Sequence, residues 1–502
     1  MAKNLFTQSE NMSKEYCCTV VRLGEILPIE GALTVAKTEV KGRTIVVGKN
    51  CKAGDLMFYC SNQSQLNEDF LSINNLYQDY EHNANADEVT AWLNSHQSAS
   101  EQEINDYKRK HRGYFNCKSQ VRMTKLAGEI SMGFLFGVDE LVKWCPMAKD
   151  FDFDSIVGTE FDTVNGELFI QAYVPPVKEQ PVALSREQKR NKKLLQYNRM
   201  IPGQFSFHYD TNLLECNMHR INPDHDVTIS VKLHGTSFII GNVLCKKPKF
   251  GGLYERMFLH LPKFLQFTKN AYDVVYSSRK VIQNANINTK KHNSYEVAPG
   301  AGLSRCFNKY YEILKEYIPE GITIYGEIVG YVEGTNSFIQ KIGNGYDFKM
   351  NPGENQLMIY RVTERDKDGQ VHEYEIFEVL AFTHMLRDTL IRCGKPEYAA
   401  RIRDIDVLYT GPMKDLYPDI PVDDNWRKNV LDRLKNDKNF KMEELEPFCR
   451  LKVPREGIVL RINGDVIPEA FKLKCLRFLQ KEGEAIDKQE FAEDAEMAER
   501  YA

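Results

Sequence analysis

A lysine set in a polar turn between two apolar runs constrains this chain more than any other stretch. From Thr228 to Gly241 the sequence is TISVKLHGTSFIIG. It reads as a strand over Thr228–Val231, Lys232 at the mouth of a turn, and a second strand through Phe238, Ile239 and Ile240. An uncompensated ammonium between buried strands is heavily penalised. The lysine is therefore either solvated on a surface hairpin or held in a pocket with a task. Gly235 lets the backbone turn and approach a ligand closely. Taken alone, a K-x-x-G tetrad fits the solvated hairpin better; the rest of the chain reverses that preference.

At 502 residues there is enough chain for two or three domains with their own cores. The formal net charge is only -4, so any surface for nucleic acid must be local. No run approaches the length of a signal peptide core or a membrane span, which argues against a membrane partner. Twelve cysteines are scattered without a C-x-x-C pair. Reduced thiols in a cytoplasmic protein, with neither a disulfide framework nor a structural zinc, fit that usage.

Along the chain, residues 1–15 are polar and expected to be disordered. Residues 16–173 show short, evenly spaced strands (CCTVVRLGEILPI, ALTVAKTEV, TIVVGKN, LMFYC) interrupted over 62–112 by a polar excursion with helical patches. A small barrel of the OB kind, which binds oligonucleotides, suits that pattern. Residues 174–203 read as a basic linker, with seven Lys/Arg against two Glu between Lys178 and Arg199. From 204 to 480 strands alternate with helices, predicting an α+β domain of antiparallel sheets with flanking helices. Residues 481–502 read as an acidic helix or tail.

Four stretches after the lysine turn carry the remaining chemistry. VVYSSRKVI puts Arg279 at a strand end, ITIYGEIVGY puts Glu327 after a glycine, and KVPREGIVLRIN puts Glu456 at the mouth of a strand. In FKLKCLRFL, Lys472 and Lys474 are two apart and share one face of a strand. Each charge alone is an ordinary strand-end residue. Together they supply an amine nucleophile, carboxylates for a divalent cation, and cations for phosphate oxygens, the needs of nucleotidyl transfer.

In this order KLHGTSF, SSRK, YGEIVGY, REGIVLR and FKLK resemble motifs I, Ia, III, IV and V of the covalent nucleotidyltransferases, the polynucleotide ligases and mRNA capping enzymes. His234 and Thr236 resemble the K-x-H-G-T pattern of nick-sealing RNA ligases. The stretches RLGEILPIEGALTVAKTEVKGRTIVVGKNCKAGDLMFY and VRMTKLAGEISMGFLF look like the OB module of the Deinococcus-type RNA ligases, as do QFSFHYDTNLL and VLYTGPM like parts of that branch. The resemblance implies an ATP-dependent RNA ligase in which Lys232 takes AMP from ATP and passes it to an RNA 5′-phosphate, for displacement by a 3′-hydroxyl. It implies that Arg279 contacts phosphates, Glu327 binds the ribose, Glu456 accompanies Mg2+ or Mn2+, and Lys472 and Lys474 grip the α-phosphate. Val231, His234, Gly235, Leu357 and Tyr360 would line the nucleotide site.

Free lysine titrates near 10.4, and burial, neighbouring lysines and a cation would each lower that value. Three positions depart from the family pattern. Val231 stands where several RNA ligases carry an acidic residue, Ser237 replaces an amide, and Leu357 falls where an aromatic ring meets the adenine, with Tyr360 nearby. The expected partners are ATP and a nicked or duplex RNA with 3′-hydroxyl and 5′-phosphate ends, handled by a monomer. The alternatives are a DNA ligase or mRNA guanylyltransferase, which usually place an OB domain after motif V. A non-catalytic RNA-binding protein on the same scaffold is a further one.

Overall fold

Strict alternation in the strand Asp226–Lys232 decides the layout of the larger, C-terminal part of the chain. Val227, Ile229 and Val231 enter a core, while Thr228, Ser230 and Lys232 line a pocket on the other face. The computed structural model describes residues 5–10, 12–173, 196–209, 211–288, 302–366, 369–464 and 469–487. It divides into two units, Met1–Pro175 and Pro176–Ala502.

The second unit holds two sheets. The lysine strand is central in a five-stranded sheet, between Val407–Pro412 and Gly457–Ile462; the latter pairs with Ala470–Lys474, which carries the short parallel strand Asn212–Leu213. Ile458, Leu460, Phe471 and Leu473 pack with Trp426, Val430 and Leu434 of the helix Trp426–Lys435. A second sheet is built on the hairpin Thr236–Pro248 and Thr268–Ser277, followed by Ile322–Gly330 and Asn355–Arg365. Its core face (Phe238, Ile240, Ile324, Leu357) packs on the helices Ser304–Leu314 and Ile376–Arg392. The expected α+β architecture of antiparallel sheets with flanking helices is what forms.

The N-terminal unit departs from its expectation. Its strands sort into small sheets, the largest being the four-stranded one in which Cys18–Arg22 and Leu56–Cys60 are central, and no closed barrel forms among the described residues. An unusually aromatic core, with Phe58, Phe70, Phe136, Phe161 and Phe169 buried, holds these sheets together. Phe70 comes from the predicted excursion, which contributes the helices Glu68–Ile73, Ala86–Ser95 and Glu101–Lys110. The segment expected to be disordered contains a strand, Phe6–Thr7, paired with Thr163–Val164. Phe6 is buried against Phe58, Phe151 and Phe161, an anchor that polar flanking residues hid.

Most of the predicted linker, 174–195, lies outside the described residues, as do 488–502. Among the described residues no helix is long and apolar enough to cross a membrane.

Candidate active site

Lys232 ends its strand opposite Gly457, which brings Glu456 alongside. The ammonium Nζ lies 2.8 Å from Glu456 Oε1, and His234 Nδ1 lies 3.6 Å from Oε2. Glu456 is almost fully enclosed. Burial alone would raise its carboxyl, but the charges of Lys232, His234 and Lys474 outweigh burial and hold it well below the usual carboxylate range. Its Oε2 is buried without a hydrogen-bond partner, and so is His234 Nε2. The His234 ring is fixed edge-on between Tyr346 and Phe478.

Gly235 serves through closeness rather than through an unusual φ. A β-carbon there would collide with the carbonyl oxygen of Ile328 and lie 2.8 Å from Glu327 Cγ. That contact lets the Gly235 N–H donate to Glu327 Oε1 at 3.2 Å, while the Gly235 carbonyl accepts from Gln340 at 2.6 Å. Ser237 and Glu327 are cross-strand partners and both face the pocket. Gly457 has φ +151°, and its missing side chain allows the Leu473 carbonyl to close against it.

Lys472 and Lys474 share the pocket face of Ala470–Lys474, with Phe471 and Leu473 in the core. Lys474 donates to both carboxylate oxygens of Glu482, at 2.7 and 2.9 Å, and lies over the Phe478 ring. Arg279 lines the same pocket, as do the backbone of Val231 and the ring of Tyr360. The Val231 side chain itself belongs to the core, as alternation next to Lys232 requires.

Leu357 is the exception and corrects the expectation. It is fully buried against Ile328 and Ile402, with its Cδ1 2.6 Å from where a Gly326 β-carbon would stand, and it does not reach the pocket. The cause is alternation: Leu357, opposite Ile328, shares the core face with Ile359, while Met358 and Tyr360 lie on the other face. A β-bulge follows, in which Tyr325 pairs with Arg361 and Gly326 with Ile359, so Tyr360 is the extra residue. The bulge turns both Tyr360 and Arg361 into the pocket. Tyr360 thus joins His208 and Tyr209 among the rings that line the pocket. Burial, with Glu327 beside it, pushes its phenol far above the ordinary range.

The structure adds residues that sequence reasoning missed. Arg361 is clamped by Glu373 through two 2.9 Å hydrogen bonds and sandwiched between the rings of Tyr209 and Tyr325. Arg461 shares Glu373 at 3.3 Å. Burial and Glu373 together push the Tyr209 phenol up to about 12. Glu482 lies on the helix Leu476–Asp487, inside what read as an acidic tail. A signal for it existed: Phe478, Leu479, Glu482 and Ala485 fall on one helical face, and all four are buried.

Among the described residues no group of three or more His, Cys, Asp or Glu is placed to hold a metal. A divalent cation here would meet Glu456, whose buried Oε2 makes no hydrogen bond; water and ligand phosphate oxygens would complete its shell.

No family model matches the chain, and no curated protein matches it at significance. Among solved structures it is similar to an apo mutant of Naegleria gruberi RNA ligase, at a TM-score of 0.50 and 16% identity, covering 94% of this chain and 100% of that one. Another mutant of that ligase, with ATP and Mn, aligns at a TM-score of 0.49 and 17% identity over 92% of this chain and 98% of that one. At such identity the likeness is one of fold.

Proposed function

We propose that this chain is an ATP-dependent RNA ligase acting through a covalent lysyl-AMP. The observation that carries the proposal is the convergence of Lys232, Glu456, Lys472, Lys474 and Arg279 on one pocket from four separate stretches of sequence. Lys232 Nζ, once deprotonated, attacks the α-phosphorus of ATP; an N–P bond forms and the bond to pyrophosphate breaks. Lys472, Lys474 and Arg279 supply fixed positive charge where the phosphate oxygens gain negative charge. An RNA 5′-phosphate oxygen then displaces the lysine and accepts AMP, and a 3′-hydroxyl releases AMP as the strand is sealed. Glu327, braced by Gly235, offers a carboxylate to ribose hydroxyls, and Tyr360 offers a ring to the base.

Mg2+ or Mn2+ fits beside Glu456, where it would neutralise phosphate charge. Glu456 also supports Lys232 directly. Its carboxylate holds the ammonium at 2.8 Å, and any charge that engages that carboxylate weakens its hold on the lysine proton.

Incubation with α-labelled ATP and Mg2+ or Mn2+, followed by a denaturing gel, tests the proposal. Label should remain on the protein and map by mass spectrometry to Lys232. Nicked duplexes with an RNA 3′-hydroxyl strand should then be sealed. Label from GTP but not ATP would move the assignment to a guanylyltransferase, and equal sealing of an all-DNA 3′ strand to a DNA ligase. Absence of covalent label with intact RNA binding would leave a non-catalytic binder.

A further inference from the structure

The hairpin that starts at the pocket ends in a surface unlike the rest of the second unit. Thr236–Pro248 and Thr268–Ser277 pair without interruption from Ile239–Ser277 out to Pro248–Thr268. Between Lys246 and Lys269 the sequence carries six Lys/Arg against one Glu, in a chain whose net charge is -4. Lys246, Lys249, Arg256, Lys263 and Lys269 are exposed and form no ion pair among the described residues. Lys247 stands directly opposite Lys269, a like-charge pair that costs stability unless an anion lies nearby; Asp273 offsets only the Lys247 side, at 3.1 Å.

Apolar side chains are interleaved with these cations. Phe250, Phe264 and Phe267 are 52%, 77% and 50% exposed, and Leu253 and Met257 stand out beside them. The segment is not loosely built. Tyr254 donates to the carbonyl of Leu265 and accepts from the Phe267 N–H at 2.6 Å, Gln266 donates to the carbonyls of Phe258 and Leu261, and Phe258 is buried. Polar groups thus fix the turn while rings are turned to solvent, the reverse of what burial of apolar area favours.

We infer that this tip, residues 246–269, is a second binding surface for RNA, with lysines on phosphates and Phe250, Phe264 and Phe267 stacking on unpaired bases. The inference rests on the ligase reading for the identity of the polyanion. Rings spaced by cations are the arrangement that suits stacked bases on a charged backbone. A bilayer interface calls for a longer amphipathic helix, whereas the helix here, Leu253–Met257, has five residues. Geometry adds direction. Lys247 lies ten residues beyond Ser237, about 33 Å further along the strand, and the face between them is covered, with Val243, Cys245 and Val275 buried against Met200, Phe205 and Ile282. RNA that reaches the tip from the pocket therefore passes over this cover and spans about one helical turn.

The test uses the full chain, with Lys246→Gln, Lys249→Gln, Lys263→Gln and Lys269→Gln combined, and separately Phe250→Ser with Phe264→Ser. Fluorescence anisotropy with a labelled nicked RNA duplex whose arms end in single-stranded tails is read against salt, and adenylylation and a thermal melt serve as controls. The lysine variant should lower the slope of log affinity against log salt by about 3, and the ring variant should weaken binding about tenfold. Adenylylation should be unchanged in both. Sealing should suffer on duplexes whose arms of about 11 base pairs end in single-stranded tails, but not on blunt arms of about 6. Should the quadruple variant melt early, Lys263→Gln with Phe264→Ser, at the most exposed ring, carries the same test. Unchanged affinity and salt slope would overturn the inference. So would RNA binding intact while binding to phosphatidylserine vesicles, or self-association in sedimentation, is what the variants lose. If the wild-type protein takes up no AMP, the ligase reading fails by itself, and the RNA-binding arm still decides this surface.

Discussion

The two ends of one hairpin treat charge in opposite ways. At the pocket end, cations are enclosed and individually matched: Lys232 with Glu456, Lys474 with Glu482, Arg361 with Glu373. At the far end, Lys246, Lys249, Lys263 and Lys269 stand in solvent without an ion pair among the described residues. Enclosed charges act through position, because low local dielectric makes each contact strong and each loss expensive. Solvated charges act through number, and salt weakens them together. The difference gives each end its own expected response to mutation.

The largest effect should come from the enclosed lysines. Lys232→Ala should abolish covalent AMP. Lys472→Ala and Lys474→Ala should each slow single-turnover adenylylation a hundredfold or more, the equivalent of about 3–4 kcal/mol of lost charge stabilisation. Lys263→Gln at the tip should leave that rate unchanged. Wild-type charging by both the Lys472 and Lys474 variants would erase the contrast between the two ends.

Next in size is Glu482→Gln. Lys474 and Glu482 are each about 10% exposed, so the pair is scarcely screened by water. Leaving the ammonium with an amide should lower stability by about 3 kcal/mol in urea unfolding. Loss of a fixed position for Lys474 should also slow adenylylation about tenfold. An unchanged rate with lowered stability would make Glu482 a structural counter-ion alone.

Gly235→Ala comes third. The added methyl group meets the Ile328 carbonyl and Glu327 Cγ, so the strands must part and Glu327 must move. A cost of about 1–3 kcal/mol is expected, together with a raised KM for ATP, because the displaced carboxylate is the one proposed to bind the ribose. A raised KM without loss of stability would show that only Glu327 had moved.

How much of this was legible in the sequence follows from the same physics. Lys232, Glu456, Lys472 and Lys474 could be read because a period of two puts charged residues on one face and Val231, Phe471 and Leu473 on the other. Resemblance alone points to Leu357, whereas alternation puts Leu357 and Ile359 on the core face and Met358 and Tyr360 on the other; only the bulge that adds Arg361 to the pocket side could not be counted along the strand. Glu482 was hidden by composition: the segment is acidic overall, and only its helical periodicity shows one carboxylate on the buried face. The N-terminal unit misled in another way. Short alternating strands fit a barrel and several small sheets equally well, and only the pairing of Cys18–Arg22 with both Leu56–Cys60 and Glu160–Phe161 decides between them. Phe6 found its place through contacts about 150 residues away in sequence, with Phe151 and Phe161.

The smallest expected effect concerns pH and the Lys232–Glu456 pair. Glu456 is held below the ordinary carboxylate range in the folded protein and returns to roughly 4.3 when the chain unfolds. A group with a depressed folded value adds stability above its unfolded value and loses it as pH falls toward the folded one. Wild-type protein should therefore exceed Glu456→Gln in stability by a constant amount from pH 7 down to about 5. Below that the gap should narrow, by about 1 kcal/mol at pH 3.5, because the unfolded chain gains a proton that the folded carboxylate refuses. Other carboxylates also titrate there, but they do so in both proteins and cancel in the difference. The tip lysines carry no such coupling, so the gap between wild type and the quadruple glutamine variant should stay flat over the same interval. Urea unfolding of the three proteins at pH 7, 5, 4 and 3.5 reads both. A gap that widens on acidification would mean that burial, rather than Lys232, His234 and Lys474, governs Glu456.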